Sequence, residues 1–195
     1  MAKLLSKRIK NISAFRVHPH AKSAFEFYHS QTFLFKLDEF DAQIIAKMDQ
    51  LTTLHVTRFK DELLLFSGFE FCTFDLSTTD LANYLVIEHD ELSDSDIERA
   101  SWNSAMKSVL SSVDSLQLET LRRTINEDIP EYLRRDYFDA KKLSQTKIAN
   151  HTHSSRPRLA KQYKKEKKKK TKQSTGTSTD TSFFDELILK HDKNR

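Results

Sequence analysis

Residues 143–162 read LSQTKIANHTHSSRPRLAKQ, and the punctuation of this stretch decides how the chain is organised. Ser144 suits the N-cap of a short helix, because its side-chain oxygen can satisfy a free amide of the first turn. Ile148 and Ala149 follow one turn in, an apolar contact beside a small residue that lets a second helix approach closely. Thr152, His153 and Ser154 break the periodicity. Ser155 then suits the cap of a new helix. Pro157 falls in its first turn, where proline costs no hydrogen bond and its fixed φ favours a helix start. Leu159 and Ala160 give the second helix an inward face, while Arg156, Arg158, Lys161 and Gln162 stay outside.

Two short helices joined in this spacing resemble the helix-turn-helix of bacterial DNA-binding proteins. The resemblance runs through Gln145, Thr146, Ile148, Ala149, Ser155, Arg156 and Leu159. One departure is His153, where the family prefers glycine at the turn; histidine tolerates positive φ better than a β-branched residue but worse than glycine. The resemblance implies that the helix from Ser155 to Gln162 enters a major groove. Arg156 and Arg158 then meet bases or phosphates, and Ser155 and Thr146 meet the backbone. Gln145, Lys161 and Gln162 complete the expected DNA-facing set. Lys164, Lys165, Lys167 and Lys168 beyond it would add sequence-independent affinity. The plain alternative is a helical hairpin that merely precedes a basic tail.

Charge is distributed to match. The 195 residues carry a net charge of +4, yet thirteen Lys or Arg and one acid, Glu166, lie between 141 and 172, a local charge of +12. Residues 173–195 carry −1, so the first 140 carry −7. An acidic body with one strongly basic segment points to a polyanionic partner for that segment alone. Like charges crowded over 163–172 favour a disordered arm in the absence of DNA, the other reading being an extension of the second helix.

The hydrophobic fraction of 37% is low for a fully packed chain, so part of it is expected to be unfolded. With only two glycines and three prolines, helix should be prominent. Most of the fourteen phenylalanines precede residue 75, which places the core there. Cys72 is the single cysteine, which excludes a disulfide within the chain and thiolate metal sites and suits a reducing cytoplasm. No apolar run approaches the length of a membrane span. The first ten residues, MAKLLSKRIK, lack the apolar core of a signal peptide and read as a frayed terminus.

The remaining elements follow from periodicity. Residues 12–17 read as an edge strand stopped by Pro19. Residues 23–35, dense in aromatics, read as strand or extended loop. A helix is expected over 38–51, then strands at 54–60 and 63–66 with a turn between, a short helix at 69–74, and a strand at 81–87. Helices are expected over 93–110, with Asp94 and Asp96 in the first turn where they suit its dipole, over 116–129 with Arg122 and Arg123 outside, and over 131–142. Arg134 and Arg135 either extend the basic face or pair with Glu131 and Asp136. His18, His20 and His29 lack acids at a supporting spacing and read as surface histidines rather than metal ligands. Asp90, Glu91, Asp94 and Asp96 read either as a cation site or, two of them, as helix caps.

The order helix, strand LHVTRF, turn, strand LLLFSGF, short helix, strand NYLVIEHDEL resembles the N-terminal domain of ParB-like partition proteins and sulfiredoxins. In that family a glycine closes the hairpin and opens a helix whose arginines hold nucleotide phosphates. Gly68 keeps the place of that glycine, but Phe69, Glu70 and Phe71 stand where the arginines belong. The resemblance therefore implies a retained scaffold without nucleotide.

The expected protein is α+β. A small N-terminal mixed sheet domain (1–92) precedes a helical domain (93–163, with the helix-turn-helix at 144–163). A basic, largely disordered arm and linker (164–182) and a C-terminal helix (183–195) follow. That last helix offers Phe183, Phe184, Leu187 and Ile188 to a second copy or another protein. The expected function is sequence-specific binding of double-stranded DNA by a cytoplasmic, nucleoid-associated protein. It would be a plasmid or chromosome partition factor of the ParB kind or a transcription regulator. No catalytic residue, cofactor, metal or membrane contact is expected. The alternatives are a nucleotide-dependent enzyme of the ParB or sulfiredoxin kind and a basic-armed RNA-binding adaptor.

Overall fold

The computed structural model describes residues 2–4, 13–31, 52–71 and 74–175. Among these, β1 (Ala2–Leu4), β2 (Ala14–Val17), β3 (Thr53–Phe59), β4 (Glu62–Ser67) and β5 (Leu85–His89) form one mixed sheet in the order β1-β5-β3-β4-β2. With the helices below, the chain is α+β. β3 and β4 make an antiparallel hairpin, turning at Lys60 with φ 56. β5 lies parallel to β3, and β2 parallel to β4. β2 is thus an edge strand, as its closing proline implies. The N-terminal segment expected to fray instead adds β1 antiparallel to β5, with Ala2 opposite His89 and Leu4 opposite Ile87.

Alternation sends Leu54 and Val56, Leu63 and Leu65, and Val86 to one face of the sheet, and all five are buried. Phe66 is buried with Ala21 and Ile97 in a cluster joined by Val17, Leu92 and Ala100. Gly68 closes β4 with φ +96, and a Cβ there would stand 2.2 Å from the Thr53 carbonyl oxygen, so only glycine fits.

Residues 22–30 form helix α1 (Lys22–Ser30), not an extended segment. Ala24, Phe27 and Tyr28 are its buried side; that spacing of three and four is helical, and the density of aromatics had hidden it. The expected helices at 38–51 and 183–195 lie outside the described residues. The described part of 69–74 is irregular, and a 3-10 turn at Leu81–Asn83, capped by Asp80, replaces the first part of the expected strand.

Helix α2 (Asp94–Ser112) starts with a capping box. The Ser93 hydroxyl oxygen accepts the Asp96 N–H while the Asp96 carboxylate accepts the Ser93 N–H. Its inner side buries Ile97, Trp102, Ala105, Met106 and Val109. Ser101, also buried, points its hydroxyl at the Phe66 carbonyl, 2.7 Å away. This packing sets the division of the chain, which falls into two compact units: 1–114 with 124–142, and 115–123 with 143–195. The boundary expected at 92 is therefore not where the chain divides, because α2 buries its apolar stripe within the sheet's own unit.

Helix α3 (Leu118–Asp128) gives its first residues to the second unit and the rest to the first. Helix α4 (Glu131–Phe138) ends early, at Asp139 with φ 48. Arg134 and Arg135 do not extend a basic face. Arg135 pairs with Glu131 at 2.6 Å, and Arg134 donates to the carbonyls of Asn126 (3.1 Å), Ile129 and Lys141 (2.7 Å), closing the end of α3. Among the described residues, no helix is long and apolar enough to cross a membrane.

Candidate nucleic-acid interface

Among the described residues of the second unit, Leu118, Leu121, Leu143, Ile148, Ala149 and Leu159 are buried. Helix α5 (Gln145–His151) begins at Ser144, whose hydroxyl accepts the Lys147 N–H at 3.1 Å. It ends with the Thr152 N–H on the Ile148 carbonyl and the Ser154 N–H on the Ala149 carbonyl, both at 3.0 Å. The residue between them, His153, takes φ 50. This is the left-handed stop that glycine fills most cheaply. Helix α6 (Arg156–Thr175) follows, with Pro157 in its first turn and the Leu159 N–H on the Ser155 carbonyl at 3.3 Å.

The arm expected to be disordered from 164 is helical through 175. Polar contacts join this helix to the rest of its unit. Glu119 is fully buried, and its carboxylate accepts two hydrogen bonds from Arg122, at 2.7 and 2.9 Å, and one from the Gln145 amide at 3.1 Å. The Glu119 N–H donates to Gln162 Oε1 at 3.0 Å, and Gln162 donates in turn to the Ser115 carbonyl at 2.8 Å. Arg122, whose side chain is only 15% exposed, also donates to the Leu143 carbonyl at 3.0 Å. Its hydrogen bonds to Glu119 raise its pKa further. Seven residues further along α6 than Leu159, Glu166 accepts Arg123 at 2.8 Å and the Thr120 hydroxyl. Arg122 and Arg123 are thus turned inward, contrary to the expectation. The signal for the first pair was present, since Glu119 and Arg122 stand at i,i+3. The partners of Glu166 are over forty positions away, and no local pattern joins them.

The expected DNA-facing residues separate accordingly. Gln145 and Gln162 have their amides engaged inside the unit. Thr146, Ser155, Arg156, Lys161, Lys164, Lys165, Lys167 and Lys168 are exposed, as is Arg158, which reaches Ser115 Oγ at 2.9 Å. With 3.6 residues per turn, Leu159, Gln162 and Glu166 face inward, and Pro157, Lys161, Lys164 and Lys168 centre the opposite side. Arg156 and Arg158, two residues apart, fall on opposite flanks, roughly 160° from each other. The middle of the exposed face is therefore lysine, a compact point charge suited to phosphate, rather than the planar fork that reads guanine.

Beyond the end of β4, the Glu70 carboxylate accepts the Gly68 N–H at 2.8 Å. Burial pushes the Glu70 carboxyl above the usual range, against hydrogen bonds that lower it. Of the acidic cluster at 90–96, Asp96 serves the capping box and Asp94 meets His20 at 3.2 Å. Among the described residues no group of three His, Cys, Asp or Glu could hold a metal ion.

Comparison with protein-family models, curated proteins and solved structures finds no match.

Proposed function

We propose that this chain binds double-stranded DNA through the α5–α6 hairpin. The observation that carries the reading is the face of α6 opposite Leu159, Gln162 and Glu166, where Lys161, Lys164 and Lys168 stand exposed in one row with Lys165 beside them. Such a row, on a helix about 30 Å long by its twenty residues, matches a rod of closely spaced phosphates. The hairpin's capped first helix and left-handed turn support the likeness to a helix-turn-helix. Partition or transcription control on a bacterial chromosome or mobile element, in a nucleoid-associated protein, is the role that likeness suggests. Because lysines centre the face, the phosphate contribution dominates, and base preference falls to the start of α6 at Ser155 and Arg156.

The test is a titration of the full chain with duplex DNA over a salt series. Each phosphate neutralised contributes a slope of about −0.9 in log affinity against log salt. Lys161, Lys164 and Lys168 replaced together by Ala should flatten the slope by about 2.7 if all three meet phosphate. An unchanged slope removes the reading.

A further inference from the structure

The lysine-bearing part of α6 is an unfavourable helix by itself. Lys161 and Lys165, and Lys164 and Lys168, stand at i,i+4, where like charges oppose helix formation. Isolated helices of this length are marginal even without repulsion. Yet the segment is helical, and the one acid among its cations, Glu166, is turned away from the lysine face onto Arg123 at 2.8 Å and the Thr120 hydroxyl. Both partners lie on α3, within the same unit. Glu166 and Arg123 are each about three-quarters covered, with side chains 25% and 28% exposed, so water screens the pair less than it would a surface pair.

We infer that Glu166 is a positioning residue that holds the lysine segment helical before any polyanion arrives, so that its phosphate-binding face is formed in advance. The inference rests on the DNA reading for its consequence, though not for the clasp itself. It makes a prediction opposite in sign to simple electrostatics. An acid among cations repels phosphate, so its neutralisation should tighten binding if charge were its whole effect. If Glu166 pre-forms the face, neutralising it makes the chain order the segment during binding, and affinity falls.

The experiment compares the full wild-type chain with Glu166→Gln, using a short DNA duplex as probe. Circular dichroism and amide exchange are measured on the free protein, and anisotropy titration on the complex. The expected results are lower helicity and faster exchange over 160–168, roughly threefold to tenfold weaker binding, and a larger gain of helix when DNA is added. Exchanging the pair, Arg123→Glu with Glu166→Arg, should return the helicity. Tighter binding with unchanged helicity overturns the inference. Should Glu166→Gln fail to fold, Thr120→Val keeps both charges and should move the same readouts in the same direction, and no movement overturns it equally. If the wild-type chain ignores duplex DNA, the functional reading falls, while helicity and exchange still decide the clasp.

Discussion

The two units solve the problem of holding a shape by different means. The sheet unit relies on apolar burial: Trp102, Tyr28, Phe69, Leu54, Leu63 and Leu65 are all essentially inaccessible to water. Among the described residues, the hairpin unit buries aliphatic side chains and adds to them the Glu119 network and the Glu166 clasp. Apolar contacts are non-directional and tolerate sliding, whereas a buried carboxylate with three donors permits one arrangement. The comparison teaches that polar groups can fix a geometry that apolar packing alone leaves loose, at the cost of depending on each of them.

The largest effect that separates the two modes should come from Trp102→Ala. It removes a fully buried ring and should cost about 3–5 kcal/mol of stability, seen in chemical denaturation. Exchange at the α5 and α6 amides should change far less than exchange in the sheet. A uniform loss would show that the units do not unfold separately.

Close behind stands Glu119→Ala, which removes the carboxylate facing the largely covered Arg122 guanidinium and should cost about 3 kcal/mol. Glu119→Gln, which keeps an acceptor, should cost less. If the two variants are equally stable, the network is not what holds the hairpin.

Acid should act next, and on the sheet unit first. His55 Nδ1 and His89 Nε2 are 2.9 Å apart, and both rings are held below the ordinary histidine pKa, mainly by burial. For His89, Asp90 opposes the shift. The unfolded chain therefore takes up protons at a higher pH than the folded one. Stability contributed by the neutral pair is full above the unfolded value of about 6.5 and is lost as pH falls through the folded values. Replacing both histidines by Gln should flatten the pH dependence of unfolding between about pH 7 and 5; a wild-type curve already flat there would exclude it.

Ser144→Ala should cost about 1 kcal/mol by removing the cap of α5, visible as faster exchange at the Lys147 amide. The smallest effect has the opposite sign. His153 sits at φ 50, where glycine meets no Cβ penalty, so His153→Gly should stabilise the hairpin unit by up to about 1 kcal/mol. A loss of stability instead would mean that the histidine side chain contributes more than its backbone strain costs.

Much of this protein was legible in its sequence, for one physical reason: the features concerned are local. The cap at Ser144, the acids in the first turn of α2, the proline at the start of α6, the alternation of β3, the glycine at 68 and the inward Ile148, Ala149 and Leu159 each depend on neighbours within a turn or a pleat. The special backbone at His153 was marked by the absence of the glycine expected there. Tertiary structure alone decided what depends on distant partners. Arg122 and Arg123 read as solvent-facing cations, but the folded chain brings Glu119 and Glu166 to them. Gln145 and Gln162 read as ligand-facing amides, but Gln145 donates to the buried Glu119 carboxylate and Gln162 bonds the Glu119 N–H and the Ser115 carbonyl. A charge's role follows from what lies within a few ångströms of it, and for Glu166 those atoms belong to residues more than forty positions away. That is why the run of lysines, disordered by composition, is a helix here.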